Sequence, residues 1–404
     1  STSMVDLLDG IPHQLVGNRE YVFAVDVPAF GVAGLCPRAV ADRVVVTDYS
    51  MTNGHLAVRW NKQGEVTSII DIVSQRELVP DGANAAVLEL GRDQPVEYDA
   101  WDLESWTREQ SRPVGGGVVR VESDGPLLGR VQVTRRFGPS LVVTTYELRA
   151  ESRQLDIDLH IDWHHDEHLL SMAFPLDVRA ETAACDVQFG VTYRPTHPSS
   201  PWDAAKFEVC AHRYVSLAEP SFGVAVLNDG RYGHAIFDGS IRISLARAAK
   251  YPDPDADHGH HRVRLAVRPH DGDLADVRAA AELLNRPLDF VVGAIGTGVD
   301  VEPIITIEAP DGRPVLGVEI DAIKHADDDS GDVIVRLHEA VGDRTRIVVG
   351  ARAGIGAAWF CDLMEAPQRG EEVGDGVVAI TLRPFQLVTL RLRLAPALDG
   401  RTVT

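Results

Sequence analysis

The sequence predicts an all-β protein: a large antiparallel β-sandwich followed by a smaller one. Apolar and polar residues alternate with period two through most of the 404 residues. In "QLDIDLHIDW" (154–163), for example, Leu155, Ile157, Leu159, Ile161 and Trp163 share one face, and Asp156, Asp158, His160 and Asp162 share the other. That period is the mark of half-buried antiparallel strands. Turn sequences such as "NKQG" and "SDGP" cut the pattern into short strands, at the spacing of about 8–12 residues expected of sandwiches. Helical periodicity of any length is rare.

Residues 1–43 hold only two or three strands, too few for an independent domain, and are expected to be the end of a small upstream β domain or a flap on the next one. Residues 44–290 contain "GHLAVRWNKQGEVTSIID" (54–71), "GRVQVTRRF" (129–137), "LVVTTYELRA" (141–150) and "QLDIDLHIDW", which predict one large two-sheet domain. Within it "DLADVRAAAELLNRP" (273–287) is the best helix, opened by Asp273 as N-cap and closed by Asn285 and Pro287. Residues 291–404 form the second domain, the alternation continuing from "DFVVGAIG" through "GVEIDAIKHADDDSGDVIVRLHEA" (317–340), "RTRIVVGA" and "VVAITLRPFQLVTLRLRL" (377–394). These suit an immunoglobulin-like β-sandwich, with the acidic "ADDDSGD" as a solvated hairpin tip.

Composition narrows the function. Hydrophobic residues make up 45% and charged residues 25%, as in ordinary globular proteins. Sixty acidic against 39 basic residues give a net charge of -21. That charge repels phosphate backbones and anionic lipid, so neither nucleic acid nor membrane is an expected partner, whereas a neutral, hydroxyl-rich ligand is compatible. The four cysteines, Cys36, Cys185, Cys210 and Cys361, form no CxxC pair, which fits a reducing compartment. No run of about 18 apolar residues occurs, and the first residues carry neither the basic nor the apolar region of a signal peptide. The expected location is cytoplasmic, and the chain reads as soluble and untargeted, or as a piece of something longer.

Several segments carry candidate chemistry. "YPDPDADHGHHR" (251–262) resembles a metal loop, with Asp253, Asp255 and Asp257 correctly spaced for calcium. Yet an EF-hand needs Gly and Glu where His258 and Arg264 stand. For zinc, His258, His260 and His261 lack both thiolate partners and the i, i+4 pairing of a helical site. In "WHHDEH" (163–168) the histidines face opposite ways if the strand continues, so both clusters are read as solvated loop histidines. "EYDAWDLESW" (97–106) sets Asp99, Trp101, Asp102 and Trp106 together. Indole faces beside carboxylate acceptors suit the C–H surfaces and hydroxyls of a sugar, and equally suit an aromatic loop packed on the sandwich edge. "RPTHPSSPWDAAKFEVCAHRY" (194–214) repeats the mixture with His197, Trp202, Asp203 and His212. No nucleophile elbow, P-loop or dinucleotide fingerprint occurs in a suitable context.

In this order, "NGHLAVRWNKQGEVTSIIDIVSQRELV", "EYDAWDLE", "DIDLHIDWHH", "AFPLDVRA", "QFGVTYRPTHPSSPWDAAKFEVCAHRY", "GVAVLNDGRYGH", "LARAAKYPDPDADHGHHR" and "LRPFQLVTLRL" resemble the C-terminal half of the α-mannosidases of glycoside hydrolase family 38. The resemblance is close over about 50–290 and looser beyond. It implies a galactose-mutarotase-like supersandwich for the large domain, and a zinc-dependent retaining enzyme whose zinc ligands and aspartate nucleophile sit in an N-terminal barrel. No such HxD element followed by barrel-like alternation is present, so no catalytic residue and no metal ligand is expected in this chain. Zinc would belong to the complete enzyme. The expected partners are an α-mannoside or manno-oligosaccharide and the N-terminal catalytic domains, carried on the same protein or on a separate chain.

By motif order the resemblance makes Arg247 a cleft arginine, with Asp99, Trp101, Asp102, His197 and Trp202 as further substrate-binding candidates. The chain departs from the family pattern in carrying Ala248 and Ala249 where Ser-Pro is usual, and Pro198, Ser199 and Ser200 where Arg-Asn-Thr is usual. Two rivals remain. One is a stand-alone carbohydrate-binding sandwich using Trp101, Trp106 and Trp202. The other is a mutarotase-like sugar epimerase, in which His197 or His212 would need a carboxylate within hydrogen-bond reach.

Overall fold

Alternation becomes strand throughout the computed structural model, which describes residues 13–16, 20–25, 27, 32–33, 40–289, 300–301 and 303–395. Contacts divide the chain into two compact units: the described residues within Ser1–Ala24, Pro37–Asp186 and Thr192–Leu288, and those within Val25–Cys36, Val187–Val191 and Asp289–Thr404. The all-β expectation of a large antiparallel sandwich and a smaller one is met.

The first unit is built on two facing sheets. One has nine strands in the order Val118–Asp124, Leu128–Phe137, Ser140–Arg149, Leu155–Trp163, Gly259–His270, Phe222–Asn228, Tyr214–Glu219, Thr182–Val187 and Gly190–Pro195. The other has six, in the order Arg112–Pro113, Val87–Arg92, His168–Pro175, Ser240–Arg247, Gly233–Phe237 and Val209–Cys210. A five-stranded sheet running from Val45–Val46 to Arg76–Glu77 completes the unit. The apolar face foreseen in 154–163 is the core face: Leu155, Ile157, Leu159, Ile161 and Trp163 are all at most 1% exposed, and they share one cluster with Met172, Phe174, Ile241 and Ile243 of the six-stranded sheet. Burying one such side chain is worth about 1.5–3 kcal/mol, so the cluster holds the two layers together.

The segment 54–71 breaks into Leu56–Trp60 and Val66–Asp71 at the "NKQG" turn. Gly64 takes φ +71° there, a left-handed conformation that favours glycine. The helix is Leu274–Asn285, and the Asp273 side chain accepts from the Ala275 N–H at 2.8 Å, as the N-cap pattern predicts. It lies on the outer face of the nine-stranded sheet through Val277 and Ala281, which pack with Tyr214, Leu227 and Ala266.

The second unit is a four-stranded sheet facing a five-stranded one, with Ile305, Val335, Leu337, Ile347, Leu390 and Leu392 at its centre. The acidic segment 326–332 does connect two strands, Val318–His325 and Val333–Glu339, but it is not simply solvated. Asp332 is 2% exposed and accepts from Arg391 Nε at 2.7 Å and Arg393 Nε at 2.9 Å, while Asp328 accepts from Arg391 Nη2 at 2.7 Å. Arg391 and Arg393 of "LRLRL" therefore hold Asp332 inward and tether Asp328, while Asp327 and Asp329 stay exposed, as expected of a solvated tip. "DFVVGAIG" lies outside the described residues from Phe290 onward. Of residues 1–43, only His13–Val16 paired with Glu20–Phe23, and Val32–Ala33 paired with Asp300–Val301, are described as strands.

Candidate functional site

Arg247 ends the strand Ser240–Arg247, and a register irregularity decides where it points. Strict alternation from Ile241 would turn Arg247 toward the core, but Ser171 pairs with Ser244 and Leu170 with Ala246, leaving Leu245 unopposed. Such a bulge shifts the phase by one. Leu245 and Ala246 are both buried, and Arg247 emerges on the outer face with Arg242 and Ser244.

There the guanidinium is occupied by the protein itself. Arg247 Nε donates to Asp93 Oδ2, and Nη2 donates to Asp93 Oδ1 at 3.2 Å. Nη2 also donates to the carbonyls of Asp99, at 2.8 Å, and of Asp102, and Nη1 reaches the Ala100 carbonyl at 3.4 Å. Asp93 is 1% exposed, and burial pushes its carboxyl up despite the arginine. The Asp99 carboxylate in turn accepts the N–H groups of Lys250, at 2.6 Å, and Tyr251, at 3.0 Å, while Asp257 accepts the Arg247 N–H at 3.0 Å. Arg247 is thus less a free donor for a substrate than a clamp that joins the loop 93–104 to the loop 248–258.

What the clamp presents is aromatic. Trp101 is 69% exposed, with Tyr98 and Tyr251 nearly as open. A tight turn supports them, the N–H groups of Trp101 and Asp102 both donating to the Tyr98 carbonyl. Trp106 sits half-buried on the short helix Ser105–Glu109. The structure therefore gathers Arg247, Asp99, Trp101 and Asp102 into one assembly.

His197 and Trp202 lie apart from it, on the loop preceding Val209–Cys210. Ser200 caps the single turn Pro201–Ala204 by accepting from the Asp203 N–H at 3.2 Å, and Trp202 stands 80% exposed on that turn. His197 is exposed as well. His212 packs its ring against Tyr232 at 4.7 Å, and neither His197 nor His212 hydrogen-bonds to a carboxylate among the described residues.

One functional candidate was missed by the sequence reading. Glu208 lies half-buried where this loop meets the clamp, in the field of Arg108, Arg242 and Arg247, and burial pushes its carboxyl up to about 7 against those three charges. Arg108 donates to the neighbouring Phe207 carbonyl and stacks over Phe237, so the two loops are tied beneath their exposed rings.

No group of three or more His, Cys, Asp and Glu among the described residues is arranged to hold a metal ion. In "YPDPDADHGHHR" the donors serve the protein: Asp253 accepts the Asp255 N–H, His258 pairs with Asp166 at 3.1 Å, and His261 Nε2 donates to the Asp257 carbonyl at 2.6 Å. The expectation of solvated loop histidines is corrected for His165, which is stacked on Phe137 and hydrogen-bonds to Ser140 Oγ at 2.8 Å. Zinc has no fitting donor set here. No helix among the described residues is long and apolar enough to cross a membrane.

The model of the glycosyl hydrolases family 38 C-terminal domain matches residues 51–255, and that of the family 38 C-terminal beta sandwich domain matches residues 317–390. The chain is 31% identical over 400 residues to human alpha-mannosidase 2C1, covering 94% of this chain and 38% of that one. It is 28% identical over 381 residues to the alpha-mannosidase of Saccharomyces cerevisiae, covering 85% of this chain and 34% of that one. It thus spans little more than a third of the length of these relatives. An alpha-mannosidase structure from Enterococcus faecalis superposes with a TM-score of 0.72 over 88% of this chain and 43% of that one, at 16% identity, and supports the fold. The chain belongs to glycosyl hydrolase family 38, of which it carries the C-terminal β-sandwich domains.

Proposed function

We propose that this chain is the C-terminal, non-catalytic part of a zinc-dependent retaining α-mannosidase that removes terminal α-D-mannosyl residues, and that it supports the catalytic domains and lines part of the substrate cleft. The observation that carries this reading is the match of both C-terminal family models, in order along a chain that spans only 38% of a relative named as an alpha-mannosidase. In retaining hydrolysis two carboxyl groups about 5–5.5 Å apart act as nucleophile and as acid/base. In this reading both come from the catalytic domains, as does the seat for zinc, and no step is routed through residues of this chain.

The role left to this chain is positional. Arg247, with Asp93, fixes the backbone of 99–102, and Asp99 fixes that of 250–251. Trp101 and Trp202 offer indole faces, and His197 and Asp102 offer polar edges, to a sugar or to the catalytic domains. The proposed compartment is the cytoplasm. The two exposed tryptophans favour one second reading, a stand-alone carbohydrate-binding module. The epimerase reading, which rests on His197 or His212, finds no carboxylate hydrogen-bonded to either among the described residues.

The test is reconstitution. Co-produced with the catalytic domains of a family 38 α-mannosidase of the same branch, the chain is expected to restore aryl α-mannoside turnover that neither piece shows alone. Full turnover by the catalytic domains without this chain would remove its supporting role.

A further inference from the structure

The outer face of the nine-stranded sheet, on the opposite layer from the Arg247 clamp, plays no part in the reading above. The helix Leu274–Asn285 covers that face over Phe222–Asn228 and Gly259–His270. Beyond it, among the described residues, the face is open as far as the hairpin of His13–Val16 and Glu20–Phe23. That hairpin is firmly placed: Gln14 is 7% exposed, and its side chain accepts from the N–H groups of Leu127 and Leu128 and donates to the Leu128 carbonyl at 2.8 Å. Between Glu20 on one side and Leu284 on the other lies a cleft of about 390 Å³, within the range of small-molecule sites, about 300–1,000 Å³.

Strand register lays a polar grid on its floor. Arg130 stands opposite Glu147 and Glu147 opposite Asp156, and in the next row Thr145 stands opposite Asp158 and Asp158 opposite Arg264. Directly opposed residues are about 5 Å apart, so carboxylates, guanidiniums and a hydroxyl stand side by side across the strands. Asp156 sits deepest, at 7% exposed. Its Oδ1 accepts from Gln154 Nε2 at 2.6 Å, but Oδ2 makes no hydrogen bond, and Arg149 Nη2, 3.2 Å away, is off a bonding direction. A buried acceptor paired by charge but without a hydrogen bond still costs free energy until a donor meets it. Burial pushes the carboxyls of both Asp156 and Glu147 up against their arginines.

The charges select the ligand class. Five carboxylates face four guanidiniums around the cleft. Each of these arginines is already paired: Arg130 with Glu20 and Glu147, Arg149 with Asp156, Arg262 with Asp158, and Arg264 with Asp229. Little free positive charge is left for an anion. A neutral molecule carrying many hydroxyls, each both donor and acceptor, matches such a grid. We propose that this cleft is a saccharide-binding site that takes a manno-oligosaccharide through Thr145, Glu147, Asp156, Asp158 and Arg262. The manno assignment rests on the mannosidase reading; the site itself rests on the cleft.

Calorimetric titration of the 404-residue chain with α-mannotriose tests it. Binding is expected, weakened at least tenfold by Arg262→Ala and by Asp156→Asn, each verified as folded by circular dichroism; the double variant Trp101→Ala/Trp202→Ala is titrated beside them to separate the cleft from the exposed tryptophans. The exposed position of Arg262 keeps the test open if the Asp156 variant fails to fold. Absence of binding, binding indifferent to the cleft variants, or loss confined to the tryptophan variant would overturn the site. None of those results touches the mannosidase reading, which turnover of the reconstituted enzyme decides. Equal binding of maltotriose would overturn the manno assignment.

Discussion

Removing the Arg247 guanidinium leaves the Asp93 carboxylate, 1% exposed, beside loop carbonyls and without its cation. An uncompensated buried charge costs about 3–5 kcal/mol, so Arg247→Ala is expected to lose about 3 kcal/mol in urea unfolding, given that the arginine is partly open to solvent. Lysine keeps the charge but not the fork that spans Asp93 and three carbonyls, so Arg247→Lys should recover only part of the loss. Wild-type stability in Arg247→Ala would remove the clamp. Glu208 gives a pH signature. Its folded value of about 7, above the ordinary 4.5, means that its contribution is complete below pH 4.5 and is lost as pH rises through about 7. Burial holds His234 and His270 down at about 4, so their contribution runs the other way, complete above 6.5 and lost as pH falls through about 4. Over about pH 7 to pH 4.5 the two histidines therefore subtract from stability as pH falls, while Glu208 adds to it. Glu208→Gln, which removes the opposing slope, is expected to lose it more steeply, as urea midpoints at several pH values would show. Parallel profiles would contradict this. The motif singled out Arg247 as a substrate contact rather than as a clamp, and Asp93 in "GRDQPV" and Glu208 in "FEVC" carry no local mark, because their partners lie far along the chain.

Elements were the most legible level. Period two marked the strands, "NKQG" marked the break between Leu56–Trp60 and Val66–Asp71, and Asp273 marked the helix start. The turn carries its own prediction. A Cβ on Gly64 would lie 2.5 Å from Val133 Cγ1 and 2.8 Å from Cγ2, at a φ of +71°. Gly64→Ala is therefore expected to cost about 1–3 kcal/mol, read as a lowered thermal midpoint; an unchanged midpoint would show that the turn relaxes freely. What local pattern does not reveal is pairing at a distance. Gly259–His270 lies between Leu155–Trp163 and Phe222–Asn228, an insertion that only the assembled sheet specifies. The bulge at Leu245 is equally silent, since "ISLARAA" reads as unbroken alternation, yet it turns Arg247 to the outer face. Asp332 of "ADDDSGD" departed from the solvated tip for the same reason, its partners Arg391 and Arg393 lying about 60 residues on.

At the scale of the whole molecule, the cores of the described residues define two sandwich units. No metal cluster occurs among them. Asp93, Glu89 and Asp158 are held in ion pairs with Arg247, Arg242 and Arg262. Hydrolysis at an anomeric carbon needs two carboxyl groups free to exchange a proton and attack, and clamped partners of arginine are poorly suited to either task. The family match places this architecture at the C-terminal end of proteins more than twice as long, consistent with chemistry supplied by another part. The most direct measurement is hydrolysis of an aryl α-mannoside by the purified 404-residue chain with zinc added. The account predicts no turnover above buffer. Turnover that follows the chain through successive chromatographic steps would contradict it.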